Sequence, residues 1–257
     1  MSFRSNLLEK AKLVYPNRTA SSSSLAGEAK HSILYDGHYP ISPCQRIGLT
    51  FIGALSAFTD PRRADMVALL GETTGHVSLN RMRQRMMETE EGRKILEEKP
   101  IITERTVDFA YLSKLADGTF GKEYAKFMSS HHFTPDSRDR VKFVDDSALA
   151  YVMTRYRQVH DMGHILTDLP PTLEGEIALK WYEMVQTGLP MTTLSAIIGP
   201  AKLSREKKQR LVDSYIPWAL KTASKSVPLY SVYHEKNWEN PVHELRESLR
   251  IEPASKI

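Results

Sequence analysis

Between Ser147 and Leu166 the apolar residues fall on one helical face, and two histidines sit on that face. Leu149, Val152, Met153, Tyr156, His160, Gly163 and His164 follow steps of three and four residues, the repeat of an α-helix with one buried stripe. The imidazoles therefore stand one turn apart where the core is expected. Burying two imidazoles without polar partners is costly, so the fold must supply something to satisfy them. The plain answer is hydrogen bonding within the core. The other is a metal, because a pair at i and i+4 lets two ring nitrogens converge on one ion. Asp161, next to His160, points about 100° away on an α-helix. It joins the ligand set only with bent geometry, or orients a ligand from behind. After the break at Leu169-Pro170-Pro171 the next helix carries Glu176, twelve residues past His164. A short antiparallel turn would place it opposite the histidines. Two His and one carboxylate leave a coordination position open, the arrangement of a catalytic rather than a structural site.

The rest of the chain is patterned the same way. Clean period-2 runs are scarce, no 20–50-residue repeat is present, and the periodicity is helical. Asp60-Pro61 reads as an N-cap followed by proline at N1, opening a helix that closes near Gly71. Ser78 opens a helix rich in Arg and Met that continues through Ile95 and Leu96 to Pro100. Val107 to Ala116 and Phe120 to Met128 read as short helices separated by Asp117-Gly118. Asp145-Asp146-Ser147 caps the histidine helix, and a helix from about Thr172 runs to Gly188. Ser204 starts another, which Pro217 kinks or splits. The fold class expected is all-α, a single mostly helical domain over residues 31–257 with the metal motif on two consecutive helices.

Composition excludes several classes. Cys44 is the only cysteine of the 257 residues, so an internal disulfide and a cysteine-based zinc finger are ruled out. No window reaches the ~20 apolar residues of a membrane span. Ile47 to Phe58, the best candidate, reads as a buried helix. The net charge is +4, but aromatic residues are not interleaved with Lys and Arg, which argues against nucleic acid. A mildly basic chain also suits an anionic membrane surface. Within residues 1–30, the expected leader, Met1 to Gly27 holds four basic residues and one acid, Glu9, with a Ser run at Ser21 to Ser24. This is the composition of a mitochondrial presequence, and equally of a disordered tail.

His160-Asp161-Met162-Gly163-His164, eleven residues, then Glu176 matches the pattern HDxxH-x11-E. The chain resembles in this the coenzyme Q biosynthesis protein 4 family. Asp60-Pro61-Arg62-Arg63-Ala64-Asp65, Leu70-Gly71-Glu72-Thr73-Thr74-Gly75 and Thr167-Asp168-Leu169-Pro170 extend the resemblance over nearly all the chain after residue 30. The resemblance implies Zn²⁺ on His160, Asp161, His164 and Glu176, with Fe²⁺ as the alternative. It implies a place on the matrix side of the mitochondrial inner membrane, peripherally bound. The implied partners are other ubiquinone-biosynthesis proteins in a multiprotein complex, a polyprenylated aromatic lipid, the membrane surface and further copies of the chain.

The activity the resemblance implies is removal of the C1 carboxyl group from a polyprenylated 4-hydroxybenzoate, with or without hydroxylation at C1. The residues are compatible with it. Ionisation of the para oxygen raises electron density at C1, and a metal with an open position can hold the carboxylate or act through bound water. The prenyl tail needs apolar surface, for which Ile47 to Phe58 and Leu189 to Ile198 are the candidate walls, unless both are simply core. Two other readings compete. One is a non-catalytic lipid-binding organiser of the complex. The other is a histidine–aspartate phosphohydrolase that recruits His131 or His132 and Asp213, which leaves His164 and Glu176 without a role.

Overall fold

The computed structural model describes residues 32–59 and 64–256. The presequence reading and the cap at Asp60-Pro61 lie outside the described residues. In chain order the helices are α1 (Pro43–Thr59), α2 (Ala64–Thr74), α3 (His76–Met87), α4 (Glu90–Glu98), α5 (Phe109–Leu112), α6 (Phe120–Ser130), α7 (Ser147–Thr167) and α8 (Leu173–Thr187). There follow α9 (Pro190–Ile198), α10 (Arg205–Arg210), α11 (Ile216–Lys225) and α12 (Val242–Ser248). Among the described residues no strand forms, only an isolated antiparallel bridge between Thr119 and Pro241. The expected all-α class holds.

Helix α7 is the axis of the domain. Asp146 caps it, accepting from the amides of Ala148 at 2.8 Å and Leu149 at 2.9 Å, which satisfies two of the orphan donors of its first turn. The stripe expected from periodicity understates its burial: Tyr151, Arg155, Val159, Asp161, Met162 and Leu166, on other faces, are buried too. Arg155 has no exposed surface. Its guanidinium is held by both Glu235 oxygens, at 2.5 and 2.9 Å, and by the Val232 carbonyl at 2.7 Å, the pairing a buried cation requires. At the far end Arg246 of α12 donates to the carbonyls of Leu166 at 3.0 Å and Ile165 at 2.8 Å.

The turn from α7 to α8 sets the site. Asp168 adopts the left-handed conformation at φ 58°, which Asp tolerates better than most residues. The Leu169 amide then donates back to His164 O at 3.0 Å. Pro170 and Pro171 stop further helix, and the Thr172 side chain caps α8 by accepting from Gly175 N at 3.3 Å. Gly188 closes α8 at φ 63°. The boundaries expected here, near Leu166, Thr172 and Gly188, match.

Elsewhere the boundaries differ for identifiable reasons. The helix expected to close near Gly71 runs on to Thr74, and the next begins at His76 rather than Ser78. The Arg- and Met-rich helix is broken in two, because Thr89 accepts from Gly92 N at 3.0 Å and starts a new cap. Val107 to Ala116 holds only the single turn α5, capped by Asp108. Pro217 has no N–H to offer Asp213, and the turn ahead of it widens into a π-helix at Leu211–Tyr215. The largest departure is α1. It packs one side on α2 through Gly53, where a Cβ would meet Met66 O at 3.3 Å. Its other face carries Ile47, Phe51, Ile52 and Leu55, each more than half exposed, so the expectation of a buried helix over Ile47 to Phe58 is corrected. Among the described residues no helix is long and apolar enough to cross a membrane.

A Cβ on Gly175 would stand 2.0 Å from the Pro170 carbonyl oxygen. Gly175→Ala must therefore push the double-proline turn away from α8. The expected cost is about 1–3 kcal/mol, as for other overpacked sites, read as a lowered midpoint in chemical denaturation. An unchanged midpoint would show that the turn has room to spare.

Candidate metal centre

His160 and His164 lie on α7 and Glu176 on the first turn of α8, so three side chains from consecutive helices meet. One ligand atom from each lies within 4.8 Å of the others. The ~2.0–2.2 Å bonds of a tetrahedral zinc site need such atoms ~3.4 Å apart. The observed contacts are close to that: His160 Nε2 to Glu176 Oε2 is 3.3 Å and His164 Nε2 to Glu176 Oε1 is 3.1 Å.

The far nitrogen of each ring decides what the near one can do. His160 Nδ1 is 2.6 Å from Glu183 Oε1, and His164 Nδ1 is 3.1 Å from the Leu169 carbonyl. Both partners are acceptors, so both Nδ1 atoms carry the proton, and in the neutral rings each Nε2 presents a lone pair. Two lone pairs thus face the two oxygens of one carboxylate in a buried place. His164 Nε2 is buried with no hydrogen-bond partner among the described residues. Such an arrangement needs positive charge between its members. A divalent ion bound by the two Nε2 atoms and Glu176 is what fits. The donor set is nitrogen and oxygen only, suited to zinc and equally to non-haem Fe(II). Cys44 is exposed on α1 and takes no part.

Asp161 is buried but is not among the converging atoms. Its Oδ1 accepts from Arg138 Nη2 at 2.6 Å, in keeping with its position a third of a turn from His160. Of the four residues named from the sequence, the structure gathers three and pairs the fourth with an arginine. The phosphohydrolase set is not assembled: His131 and His132 are exposed, and the exposed Asp213 accepts from Gln209 at 2.8 Å.

Glu183 was not read from the sequence. Its second oxygen accepts from Tyr156 Oη at 2.7 Å and Lys180 Nζ at 2.6 Å. The signal was present in the spacing, since Glu176, Lys180 and Glu183 stand at i, i+4 and i+7 on one face of α8. Burial pushes the Glu183 carboxyl up, but Lys180 and His160 outweigh it and hold it well below the usual range. The stability it contributes is therefore present above the ordinary carboxylate range and lost as the pH falls through that range and below. For His160, burial and Lys180 pull the imidazole down, and Glu183 and Glu176 prevail in raising it. Burial likewise raises Glu176, and in the metal-free site His160 and His164, where they donate to it as cations, hold it far below normal.

The site opens on a cavity of about 570 Å³ whose wall includes His160, Asp161 and Glu176. Arg138, Arg157 and Lys180 add cationic groups, and Phe133, Leu173, Ile177 and Met191 add apolar surface. Helix α9, the second candidate wall, contributes Met191 and Ser195 to this cavity, while Ile197 reaches solvent.

Residues 35–255 match the family described as Coenzyme Q (ubiquinone) biosynthesis protein Coq4. The Anopheles gambiae protein named Ubiquinone biosynthesis protein COQ4 homolog, mitochondrial, is 48% identical over 212 residues, covering 82% of this chain and 75% of that protein. The Xenopus tropicalis protein of the same name is 45% identical over 226 residues, covering 88% of this chain and 80% of that protein. A crystal structure from Nostoc punctiforme, of a candidate ubiquinone biosynthesis protein, covers 79% of this chain and 97% of its own at a TM-score of 0.63. At 18% identity that likeness concerns the fold.

A carboxylate behind a ligating imidazole typically controls metal affinity by 10–100-fold. Glu183→Gln is therefore expected to weaken zinc by roughly 10–100-fold in competition with a chromophoric chelator, with helical content unchanged. Equal affinity in the variant would show that Glu183 is only a core ion-pair partner.

Proposed function

The chain belongs to the Coenzyme Q (ubiquinone) biosynthesis protein Coq4 family, and from that membership we propose that it serves mitochondrial ubiquinone biosynthesis as a metal-dependent decarboxylase. The substrate is a polyprenylated 4-hydroxybenzoate that loses its C1 carboxyl group. The protein acts at the matrix face of the inner membrane, among other proteins of the pathway. The observation that carries the reading is the two imidazole Nε2 atoms 3.3 and 3.1 Å from the oxygens of Glu176, in a site that opens on a cavity part cationic and part apolar.

His160, His164 and Glu176 would hold the ion, with Asp161 and its Arg138 partner behind them. A divalent ion held there would supply Lewis-acid polarisation of a substrate oxygen. Glu183 keeps His160 Nδ1 protonated, so Nε2 stays aimed at the cavity. The Leu169 carbonyl does the same for His164. Ile177, Met191 and Leu173 exclude water beside the reacting head group. The prenyl tail takes the apolar side, since each CH₂ left in water costs about 0.8 kcal/mol. Two His and one carboxylate also suit Fe(II), which would admit hydroxylation coupled to carboxyl loss, whereas zinc has no redox chemistry of its own.

The exposed face of α1 favours a second reading alongside the first. Ile47, Phe51, Ile52 and Leu55 lie within three turns and none of them lines the cavity. Fully covering such side chains is worth about 1.5–3 kcal/mol each. That is the surface expected of an organiser held on a membrane or on pathway partners.

Full-length protein incubated with a prenylated 4-hydroxybenzoate and zinc or iron(II) is expected to release carbon dioxide. Glu176→Gln should lose turnover and metal together, while Phe51→Asp should keep both in detergent. If no carbon dioxide forms with either metal and Phe51→Asp abolishes pathway assembly, the organiser reading replaces the enzymatic one.

A further inference from the structure

Arg138 stands apart from the other cations of the cavity. Arg157 is spent within the fold: it pairs with Glu72 at 2.8 Å and donates to the carbonyls of Ala68 at 3.0 Å and Asp139 at 3.3 Å. Lys180 is taken up by Glu183 at 2.6 Å, and Lys202, which also lines the cavity, is not free either. Arg138 uses one nitrogen, Nη2, on Asp161 at 2.6 Å. Among the described residues its Nη1 and Nε have no acceptor, and its side chain is 38% exposed and lines the cavity that His160 and Glu176 also line. Its backbone is not free to swing away. The next residue is held by Arg157, and Glu72 accepts from the amides of Lys142 and Phe143 at 2.8 Å each, pinning the segment that carries it. A fixed guanidinium with unused donors beside the head-group site is built to receive an anionic oxygen.

We propose that Arg138 binds the para oxygen of the substrate's ring and stabilises it as phenolate. This rests on the decarboxylase reading and names the residue that recognises the end of the ring opposite the carboxyl group. The choice between the two ends follows from where charge grows. The ionised para oxygen feeds its electron pair through the ring to C1, which takes a proton from water, leaving hydroxide and a neutral dienone carbonyl at the para position. The bond from C1 to the carboxyl carbon then breaks, its electron pair returns through the ring to the para oxygen, and carbon dioxide leaves. The carboxylate loses its charge in that step and the para oxygen gains one. A guanidinium on the carboxylate would hold back the group that must leave as neutral carbon dioxide, whereas on the para oxygen it stabilises the phenolate that feeds electrons to C1 and that the cleavage step regenerates. Asp161 then has a definite task, holding Nη2 so that the remaining donors face the ring.

The test is binding of 3-geranyl-4-hydroxybenzoate and its 4-methoxy counterpart to zinc-loaded full-length protein, by calorimetry. The two probes differ at the para oxygen alone, which one can ionise and the other carries capped by a methyl group, and the Arg138 variants separate charge from the size of that methyl. Wild type is expected to prefer the hydroxy ligand by on the order of 10- to 100-fold. Arg138→Met should lose that preference while binding the methoxy ligand and zinc as before, and Arg138→Lys should restore part of it. A purely structural role for Arg138 would weaken both ligands alike. Wild-type protein gives an independent readout: the phenol of the bound hydroxy ligand should ionise at least about one pH unit below the free ligand, followed by its absorbance. Retained preference in Arg138→Met, or a bound phenol that ionises at the solution pH, overturns the proposal. If wild type binds both ligands equally, the role of Arg138 falls and the decarboxylase reading stands. If it binds neither, the decarboxylase reading falls and takes this inference with it.

Discussion

Two buried lone pairs aimed at one carboxylate are the constraint around which this protein is organised. Glu183 and the Leu169 carbonyl hold the protons of His160 and His164 on Nδ1, and Glu176 meets both Nε2 atoms at 3.1–3.3 Å. Without a cation this is three electron-rich groups in contact, a costly thing to bury. With one, the same atoms become a ligand set. Much of the surrounding structure keeps them there. The left-handed Asp168 returns the chain so that the Leu169 carbonyl reaches His164, and the double proline with Gly175 brings Glu176 back within a few residues.

The next layer is ionic and has the same purpose. Tyr156 and Lys180 hold Glu183, Arg138 holds Asp161, and Glu72 with Arg157 fixes the segment that carries Arg138. These contacts join α2, α7, α8 and the loop before α7 around one cavity. A head group with two oxygen-bearing ends and a long apolar tail suits such a space, whose wall holds cations and metal ligands together with Ile177 and Met191. The chemistry proposed needs both, since charge must be held at the ring and water kept from the tail.

The part of this legible in the sequence was the local part. The i, i+4 histidines, the Asp146 cap, the proline break and Glu176 are spaced by the geometry of one helix and one turn, and each was found where that geometry puts it. Glu183 was within reach of the same reasoning, seven residues after Glu176, but a charged residue on an amphipathic helix is read as solvated unless its neighbour across the core is known. Arg138 and Glu72 could not be read, because their roles depend on contacts between segments 23 and 70 residues apart. The same limit explains α1. Apolar periodicity says that a face is to be covered and is silent on what covers it, and within the described residues the outer face of α1 is left uncovered. The split at Thr89 reflects a cap competing with an otherwise continuous helical pattern.

X-ray absorption at the metal edge, on full-length protein purified without added metal, tests the shared-cation site most directly. The expected result is about one zinc or iron per chain in a shell of nitrogen and oxygen at ~2.0–2.2 Å, with imidazole scattering beyond it and no sulfur. The imidazole contribution should fall by about half in His164→Ala, which removes one of the two rings. Folded protein that holds no stoichiometric metal, or a shell that His164→Ala leaves unchanged, would contradict it.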